Sequence, residues 1–447
     1  MSLKTFAALS LLLMSAGTQA AADAGSLRPK ARPAVQVHGV HLRELLVTPV
    51  SLRPQARPAG WAARATAAAP AATAEDARLQ GWIAGYRRRA LAAGIPAQVF
   101  DRAFRGVTYD PQIIARDRSQ TEFTKTVEQY LAIAASDKRI ADGRAALAAE
   151  GRTLARIEAR YGVDRDIVTA IWGLESAYGT RRGDLSVIRS LATLAFDGRR
   201  GQFFEQQLTE ALRILARGDT TPEKMTGSWA GAMGHTQFIP TSYQAYAVDF
   251  TGDGRRDIWS ADPSDALAST AAYLERFGWI KGMPWGVEVT LPRDFDYGQL
   301  SSKVKRMPSD WARAGVLGMD GRPVPDHGSA YVLLPAGARG SAFLVFKNFD
   351  VIKRYNNSDL YALGVGHLSD RITGGDAVQG GWPEDDRALV RAERHELQRR
   401  LTAKGFDTGG IDGNIGPDTR AALMRYQRSI GVVPDGSASW QVLKRLR

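Results

Sequence analysis

The chain has 447 residues, of which 44% are hydrophobic and 24% are charged, so it is long enough for two or three globular domains. It contains no cysteine, which excludes disulfides, thiolate metal sites, a cysteine nucleophile and a lipid anchor on an N-terminal cysteine. The net charge of +12 suits nucleic acid, an anionic membrane surface or an anionic wall polymer, and it is equally consistent with a solvated basic surface.

Residues 1–20 have the pattern of an export signal. Lys4 provides a short basic start, an apolar run extends from Phe6 to Met14, and small residues around Ala20 offer a cleavage site. No later stretch reaches the roughly 18 apolar residues that a membrane-spanning helix needs. We therefore expect a mature protein that begins near Ala21, is soluble and works in the periplasm, and export argues against nucleic acid as a partner.

Residues 21–77 are rich in alanine, proline and arginine. The stretch SLRPKARPA at 26–34 returns almost unchanged as SLRPQARPA at 51–59. Proline removes backbone donors and favours extended chain, so the composition predicts a mobile, positively charged tether. Such a tether after an export signal indicates reach toward a large substrate.

Helical periodicity begins near Arg78 and continues through several segments to Phe277. Alternating β-formers between 285 and 347 then predict short strands, and helix is expected to resume near Asn357. A glycine-rich break at 374–381 precedes a final basic unit. The pattern predicts one domain over 78–378 and a second over 387–447.

One helix places a carboxylate among apolar residues. The segment DRDIVTAIWGLESAYG, 164–179, carries Glu175 where the helical pattern calls for a hydrophobic side chain. A buried carboxyl has a raised pKa and can stay protonated near neutrality, as a general acid requires. The structural alternative is that Glu175 pairs with Arg181 or Arg182, or reaches solvent near Gly179. The two adjoining stripes are Ile167, Ile171, Leu174 and Tyr178, and Val168, Trp172 and Glu175.

The stretch GSWAGAMGHTQFIPTSY, 227–243, combines glycines with polar side chains. Glycines of this kind let backbone approach a ligand closely, while Ser228 and Gln237 offer the hydrogen-bonding groups that sugars need. A tight loop between helices is the alternative interpretation of this stretch taken alone.

Three separated motifs occur in one order: ESAYG at 175–179, GAMGHTQFIPTS at 231–242 and RYNNSDLYA at 354–362. Over roughly 80–375 the chain resembles the B-type soluble and membrane-bound lytic murein transglycosylases. The resemblance implies a mainly α (α+β) fold, with a lysozyme-like catalytic domain that carries helical and small β elaborations. It makes Glu175 the catalytic acid/base, in a cleft lined by Ser228, Gln237, Tyr273, Tyr355, Asn356 and Tyr361. Tyr273 and Tyr361 also fit packed core aromatics.

The family's chemistry, as the resemblance implies it, cuts the β-1,4 bond between N-acetylmuramic acid and N-acetylglucosamine without water and leaves 1,6-anhydromuramoyl ends. One carboxyl and the substrate's own N-acetyl group suffice for this reaction. A hydrolytic muramidase needs a second carboxylate, for which Asp184, Asp197 and Glu205 are candidates. The sequence alone does not exclude the hydrolytic muramidase. It also does not exclude a non-catalytic wall-binding protein in which Glu175 is a buried structural acid.

The segment DFTGDGRRDIWSAD, 249–262, has the oxygen spacing of a calcium loop. Position twelve is Ser260 rather than glutamate, so binding should be weak unless Asp262 substitutes. The alternative is a hydrogen-bonded Asx turn. We expect no cofactor for catalysis and at most a structural Ca²⁺, with the candidate ligands Asp249, Thr251, Asp253 and Asp257.

The C-terminal unit, 387–447, contains Leu397-Gln398, a turn from Asp412 to Thr419 and Tyr426-Gln427. Pro417 starts a predicted short helix. The unit resembles the peptidoglycan-binding domain 1 family, which implies a small three-helix module whose motif residues serve mainly turns and core. The partners expected are peptidoglycan glycan strands, with no nucleic acid and no transmembrane segment, and the sequence identifies no wall-synthesis partner.

Overall fold

The computed structural model describes residues 74–119 and 125–447. The predicted export signal and nearly all of the predicted tether lie outside these ranges. Ala74 to Ala77, which we assigned to the tether, instead form the first turn of a helix. Among the described residues, no helix has both the length and the apolar character needed to cross a membrane.

The described residues are mainly helical, as the sequence predicts. In chain order the α-helices are α1 (Ala74–Ala92), α2 (Ala97–Ala103), α3 (Pro111–Arg118), α4 (Val127–Ala134), α5 (Asp137–Ala149), α6 (Gly151–Tyr161), α7 (Arg165–Ser176), α8 (Val187–Asp197), α9 (Gly201–Arg217), α10 (Pro240–Tyr246), α11 (Ser264–Arg276), α12 (Pro308–Arg313), α13 (Lys347–Tyr355), α14 (Asp359–Ile372), α15 (Arg391–Ala403), α16 (Pro417–Ser429) and α17 (Trp440–Leu446). The strands are β1 (Leu185–Ser186), β2 (Thr226–Gly227), β3 (Gly286–Thr290), β4 (Leu317–Gly318), β5 (Tyr331–Leu333) and β6 (Ala342–Val345). Single turns of 3-10 helix lie at Tyr297–Gln299 and Gly337–Arg339.

Helices α1 to α11, α13 and α14 contribute to one hydrophobic core that extends from Leu79 to Ile372. Helix α7 runs through it, and every residue from Ile167 to Ser176 is buried. Two adjoining apolar stripes on one helix predict this burial, because such a helix has too little polar surface to face water. Glu175 is thereby carried into the interior by its own helix.

A small antiparallel sheet with its own core forms between Gly286 and Val345. Its strand order is β4, β3, β6, β5, with Val289 opposite both Gly318 and Ala342. Helix resumes at Lys347, earlier than the predicted position near Asn357. Asn356 has extended backbone and separates α13 from α14. It therefore follows a helix, whereas the sequence pattern predicted short strands before a helix that begins near Asn357.

The C-terminal module packs α15, α16 and α17 around a separate apolar cluster that includes Leu397, Leu423 and Leu443. The two motif glutamines, Gln398 and Gln427, are buried and hold turns. Gln398 accepts from the Gly413 amide at 2.7 Å, and Gln427 accepts from the Gly436 amide at 2.8 Å. The structure therefore gives these motif residues the turn and core roles expected from the sequence.

The segment between the two units is fixed to the sheet region. Glu288 accepts hydrogen bonds from the Gln379 and Gly380 amides at 2.8 and 2.7 Å. Asp435 of the module accepts from the Ala338 amide at 2.8 Å. A side chain of the module thus contacts the backbone of the larger unit at a defined position, and the connecting segment is held in the same way.

Candidate active site

Glu175 lies in the last turn of α7 and is 2% exposed. Its Oε1 accepts a hydrogen bond from the Tyr361 hydroxyl at 2.6 Å, whereas its Oε2 is buried without a partner among the described residues. Burial raises the pKa of Glu175 to about 8, although the hydrogen bond from Tyr361 acts in the opposite direction. The side chain is therefore protonated at neutral pH, as a general acid must be.

Neither structural alternative for Glu175 matches this geometry. Solvent does not reach the carboxyl, and its hydrogen bond comes from a tyrosine. Arg182 instead donates to the Trp259 carbonyl at 2.8 Å, and the Arg181 amide donates to the Ser176 carbonyl. The acid is held neutral rather than ion-paired.

Helix α14 delivers Tyr361 to the acid. Ser358 caps the helix by accepting from the Tyr361 amide at 3.3 Å. Gly364, one turn further, lets α14 approach the neighbouring helices, since a Cβ there would lie 2.8 Å from Cε1 of Tyr130. Burial, and after it the Glu175 carboxylate, raises the pKa of Tyr130 and of Tyr361. Periodicity does not distinguish Tyr130, because a tyrosine on the apolar face of α4 resembles any core aromatic.

The block at 227–243 folds as a tight loop between β2 and α10, and its last residues form the first turn of α10. Ser228 Oγ accepts from the Ala232 amide at 3.1 Å, and Gln237 has left-handed backbone with φ of 57°. Gln237 Nε2 donates to the Gly234 carbonyl at 2.7 Å, and its Oε1 is buried without a partner. The glycines approach the protein's own atoms, because a Cβ at Gly234 would lie 2.2 Å from the Ile258 carbonyl oxygen. The sequence suggests that these glycines let the backbone approach a ligand. In the structure they instead allow close contact between parts of the protein itself.

The segment at 354–362 joins this block through aromatic side chains. The Tyr355 hydroxyl donates to the Thr236 carbonyl at 2.7 Å, and the Tyr273 hydroxyl donates to the Arg354 carbonyl at 2.5 Å. The two rings lie 5.1 Å apart between centroids. Asn356 is buried, and its Nδ2 has no partner among the described residues. Tyr273 and Tyr355 thus act as core aromatics in this structure, while Asn356 has an unused donor.

Three of the residues predicted to form the site carry buried polar atoms without partners. They are Oε2 of Glu175, Oε1 of Gln237 and Nδ2 of Asn356. An unpaired buried polar group costs about 1–3 kcal/mol, so each such atom calls for an explanation. Some atoms of this kind also occur elsewhere in the described chain. At these three positions, a polar ligand with both donors and acceptors would supply the missing bonds.

Two of the three candidates for a second carboxylate are engaged with arginines. Asp197 accepts from Arg118 at 2.7 Å, and Glu205 accepts from Arg89 through both oxygens at 2.7 and 2.8 Å. Asp184 is exposed. Within the described ranges, no second acid contributes to the pKa shift of Glu175. Among the described residues, Glu175 is therefore the one carboxyl shown at the site, as expected for a reaction that needs only one.

The predicted metal loop brings together a different ligand set. Asp249 and Asp253 meet Asp265, with one ligand oxygen of each within 4.8 Å of the others. Asp257 is outside that group, because its Oδ1 accepts from the Trp259 and Ser260 amides.

Asp265 was missed by the sequence analysis because it lies beyond the loop, in the first turn of α11. Thr251 Oγ1 donates to Asp249 Oδ1 at 3.3 Å, so it serves the Asx-type turn of the alternative interpretation. Asp249 also accepts from the Gly252 and Gly254 amides at 2.6 and 2.8 Å. Three adjacent carboxylates nevertheless suit a hard cation such as Ca²⁺.

Comparison with known proteins agrees with the geometry. Residues 78–370 match the family model described as "Transglycosylase SLT domain", and residues 390–446 match "Putative peptidoglycan binding domain". Membrane-bound lytic murein transglycosylase B of Escherichia coli (strain K12) is 37% identical over 220 residues, which is 47% of this chain and 58% of that protein. The chain thus spans less than two thirds of this curated relative.

The chain is also similar to solved structures of lytic transglycosylases, over more of its length than the curated relative covers. SltB3 from Pseudomonas aeruginosa, in complex with NAG-NAM-pentapeptide and with NAG-anhNAM-pentapeptide, is 51% identical. The match covers 83% of this chain and 99% of SltB3, with a TM-score of 0.80. The Escherichia coli lytic transglycosylase Slt35, in complex with calcium, is 28% identical, with 67% and 94% of the two chains covered and a TM-score of 0.56. These matches confirm the predicted mainly α fold with a lysozyme-like unit, small β elaborations and a helical C-terminal module. With the family model matching more than half of its length, the chain belongs to the transglycosylase SLT domain family and carries a peptidoglycan-binding module after it.

Proposed function

We propose that this protein is a lytic transglycosylase that cleaves the β-1,4 bond between N-acetylmuramic acid and N-acetylglucosamine in peptidoglycan and leaves 1,6-anhydromuramoyl ends. The observation that carries the proposal is Glu175: one buried carboxyl, with a pKa raised to about 8 and no second acid beside it among the described residues. The family membership gives the substrate class, and the single acid gives the reaction type.

The first step uses the neutral form of Glu175. Its proton goes to the glycosidic oxygen, the bond between that oxygen and the anomeric carbon breaks, and the leaving sugar departs as an alcohol. The acetamido oxygen of the substrate stabilises the positive charge that develops on the anomeric carbon. The protein does not need to supply a nucleophile, which agrees with Glu175 as the one acid at the site among the described residues.

The second step uses the carboxylate that the first step leaves behind. It takes the proton from the O6 hydroxyl while O6 bonds to the anomeric carbon, which closes the anhydro ring and restores neutral Glu175. The Tyr361 hydroxyl donates to Oε1, so it stabilises the carboxylate between the two steps and leaves Oε2 free for proton transfer. The two steps together consume no water.

The sugar contacts follow from the unpaired atoms. Oε1 of Gln237 accepts from a substrate N–H or O–H, and Nδ2 of Asn356 donates to a substrate oxygen. Ser228, Tyr273, Tyr355 and Tyr361 complete the predicted lining. The hydroxyls of Tyr273 and Tyr355 already bond to backbone, so these two rings contribute by shape and packing.

The C-terminal module gives the protein a second hold on the same polymer. Its match to a peptidoglycan-binding family supports attachment to the wall. With the export signal predicted at 1–20, we place the protein in the periplasm. Mass analysis of protein isolated from cells tests this, because the chain should start near Ala21, and a chain that retains residues 1–20 would contradict it.

Digestion of purified sacculi with wild type and Glu175→Gln tests the reaction. The wild type should release muropeptides that lack one water relative to reducing-end products, and Glu175→Gln should release none while it still binds the sacculi. Glu205→Gln is a matched control, because that acid pairs with Arg89 and has no contact with Glu175 among the described hydrogen bonds and ion pairs. Exclusively reducing ends from the wild type would establish a hydrolase instead.

The loop at 249–265 takes a structural Ca²⁺ in this proposal, with Asp249, Asp253 and Asp265 as the carboxylate ligands. The three adjacent carboxylates and the calcium complex of the Slt35 relative support it. Catalysis needs no metal. Calcium should raise the melting temperature of wild type and leave that of Asp253→Asn unchanged. Equal melting temperatures of the wild type with calcium and with chelator would refute the site.

A further inference from the structure

The turn directly after Glu175 has an unusual backbone. Ala177 and Tyr178 have φ of 48° and 57°, in the left-handed region that only glycine enters freely. For a residue with a side chain this conformation costs roughly 1–2 kcal/mol, so surrounding contacts must hold it. Whatever holds this turn also fixes the end of α7 that carries the acid.

His235 is one of the residues that hold the turn, alongside the Arg139 carbonyl, which accepts from the Tyr178 hydroxyl at 2.8 Å. The Ser176 hydroxyl donates to the His235 carbonyl at 2.5 Å and accepts from the Gly179 amide at 2.9 Å. The imidazole packs against the same turn, since a Cβ at Gly179 would lie 2.5 Å from His235 Nδ1. Main chain and side chain of one residue therefore support both sides of the turn.

The hydrogen bonds of the imidazole define its tautomer. The Trp172 indole nitrogen, which can only donate, lies 3.1 Å from His235 Nδ1. Nδ1 must then be the acceptor, and the ring proton sits on Nε2, which donates to the Ser260 carbonyl at 2.8 Å. Arg182 Nη1 lies 3.0 Å from Nε2, but it donates to the Trp259 and Ser260 carbonyls, so the Ser260 oxygen accepts from both side chains and Nε2 keeps its proton. A proton on Nδ1 would set two donors facing each other.

We propose that His235, as the Nε2–H tautomer, is a positioning residue for Glu175. It links Trp172, one helical turn before the acid, to the backbone at Ser260, and it supports the left-handed turn after the acid. Glu175 is thus held from both sides along the chain. This inference rests on the proposed function, because it assigns His235 an effect on the same proton transfers.

A purely apolar packing role does not account for these contacts. His235 is 4% exposed, and both ring nitrogens have partners. Burial lowers the pKa of His235 and outweighs the hydrogen bond to Ser260, which raises it; the positive charge of Arg182 also lowers it, and the lowered pKa favours the neutral ring that the geometry requires. Phenylalanine would fill the volume but would leave the Trp172 N–H and the Ser260 carbonyl without this partner.

The test measures kcat and KM on soluble peptidoglycan oligosaccharides for three variants. His235→Phe removes both ring nitrogens, His235→Asn keeps an acceptor near the position of Nδ1, and Trp172→Phe removes the indole donor. His327→Phe is the matched control, because His327 is exposed and lies in the sheet region. Circular dichroism and melting temperature verify that each variant is folded.

We expect His235→Phe to lower kcat about 10- to 100-fold, the loss typical of a catalytic group displaced by about an ångström, with KM within about threefold of wild type. His235→Asn should recover much of the loss. The double variant with Trp172→Phe should be no slower than His235→Phe alone, because both substitutions break one link.

A wild-type kcat in His235→Phe, or losses from the two substitutions that multiply in the double variant, would overturn the proposal. If His235→Phe does not fold, Trp172→Phe decides alone, and an unchanged kcat in that variant has the same meaning. Failure of the proposed function is distinguishable, because wild type itself would then release no anhydro products.

Discussion

At the residue scale, the burial of Glu175 links catalysis to stability. The pKa of its carboxyl is about 8 in the folded protein and ordinarily 4.5. Between these values the folded state keeps the proton that the unfolded state has released, so stability falls as pH rises. The same environment that makes Glu175 an acid at neutral pH therefore destabilises the protein above pH 4.5.

The first prediction concerns Glu175→Gln, which cannot ionise. Its free energy of unfolding relative to wild type should rise with pH by up to about 1.4 kcal/mol for each unit, because only wild type loses stability there. The gain should begin near pH 4.5 and level off near pH 8. Denaturant titrations of both proteins at several pH values measure it. A difference that does not change with pH would show that Glu175 is not buried as an acid.

The second prediction concerns Tyr361→Phe. The hydrogen bond from Tyr361 stabilises the Glu175 carboxylate and lowers its pKa, so its removal should raise that pKa by about one unit. The upper limb of the pH profile of kcat should move to higher pH, and kcat itself should fall because the carboxylate of the second step loses its donor. Tyr297→Phe, a half-exposed tyrosine of the sheet region, is the control. If the upper limb of the pH profile of kcat does not move, Tyr361 does not influence the group that titrates there.

At the element scale, the packing of α14 against α4 and α7 decides where Tyr361 lies. Gly364 allows the close approach, since a Cβ there would meet Tyr130 at 2.8 Å and Ala134 at 3.2 Å. The catalytic pair of side chains thus depends on a residue that has no side chain. The contact between Glu175 and Tyr361 is therefore determined by how their helices pack and not by the two residues alone.

The third prediction follows from this packing. Gly364→Ala should lower the free energy of unfolding by about 1–3 kcal/mol through overpacking and should reduce kcat by displacing α14. Gly81→Ala, in the exposed part of α1 where a Cβ meets nothing within 4 Å, should instead stabilise by roughly 0.5–1 kcal/mol. Denaturant titration and steady-state kinetics compare the two. Equal effects of both substitutions would contradict the packing role.

At the scale of the whole molecule, the catalytic unit and the C-terminal module have separate hydrophobic cores. A polar contact joins them where Asp435 accepts from the Ala338 amide. Removal of the module should therefore leave the core of the larger unit intact.

The fourth prediction is that a chain ending at residue 386 folds, keeps its kcat on soluble oligosaccharides within about threefold and binds sacculi more weakly. The reason is that loss of a second binding site removes the gain from linked binding without touching the first. Co-sedimentation with sacculi and steady-state kinetics measure the two effects. Unchanged sedimentation would show that the module does not contribute to wall binding.

Several features were determined by the sequence alone. The apolar stripes around Glu175 predict its burial, the alternating segments predict strands near β3, β5 and β6, and Pro417 marks the start of α16. The motif order identifies the family, as the comparisons confirm. These features are local, since periodicity, caps and motif spacing are written within about twenty residues.

Other features were decided only by the tertiary structure. Tyr361 reaches Glu175 across 186 positions, Asp265 replaces Asp257 in the carboxylate cluster, and the glycines at 227–243 approach the protein's own atoms. His235 meets Trp172 across 63 positions. The physical reason is common to all four: side-chain periodicity says which residues turn inward, but the partner that each one meets there depends on how distant helices pack against one another.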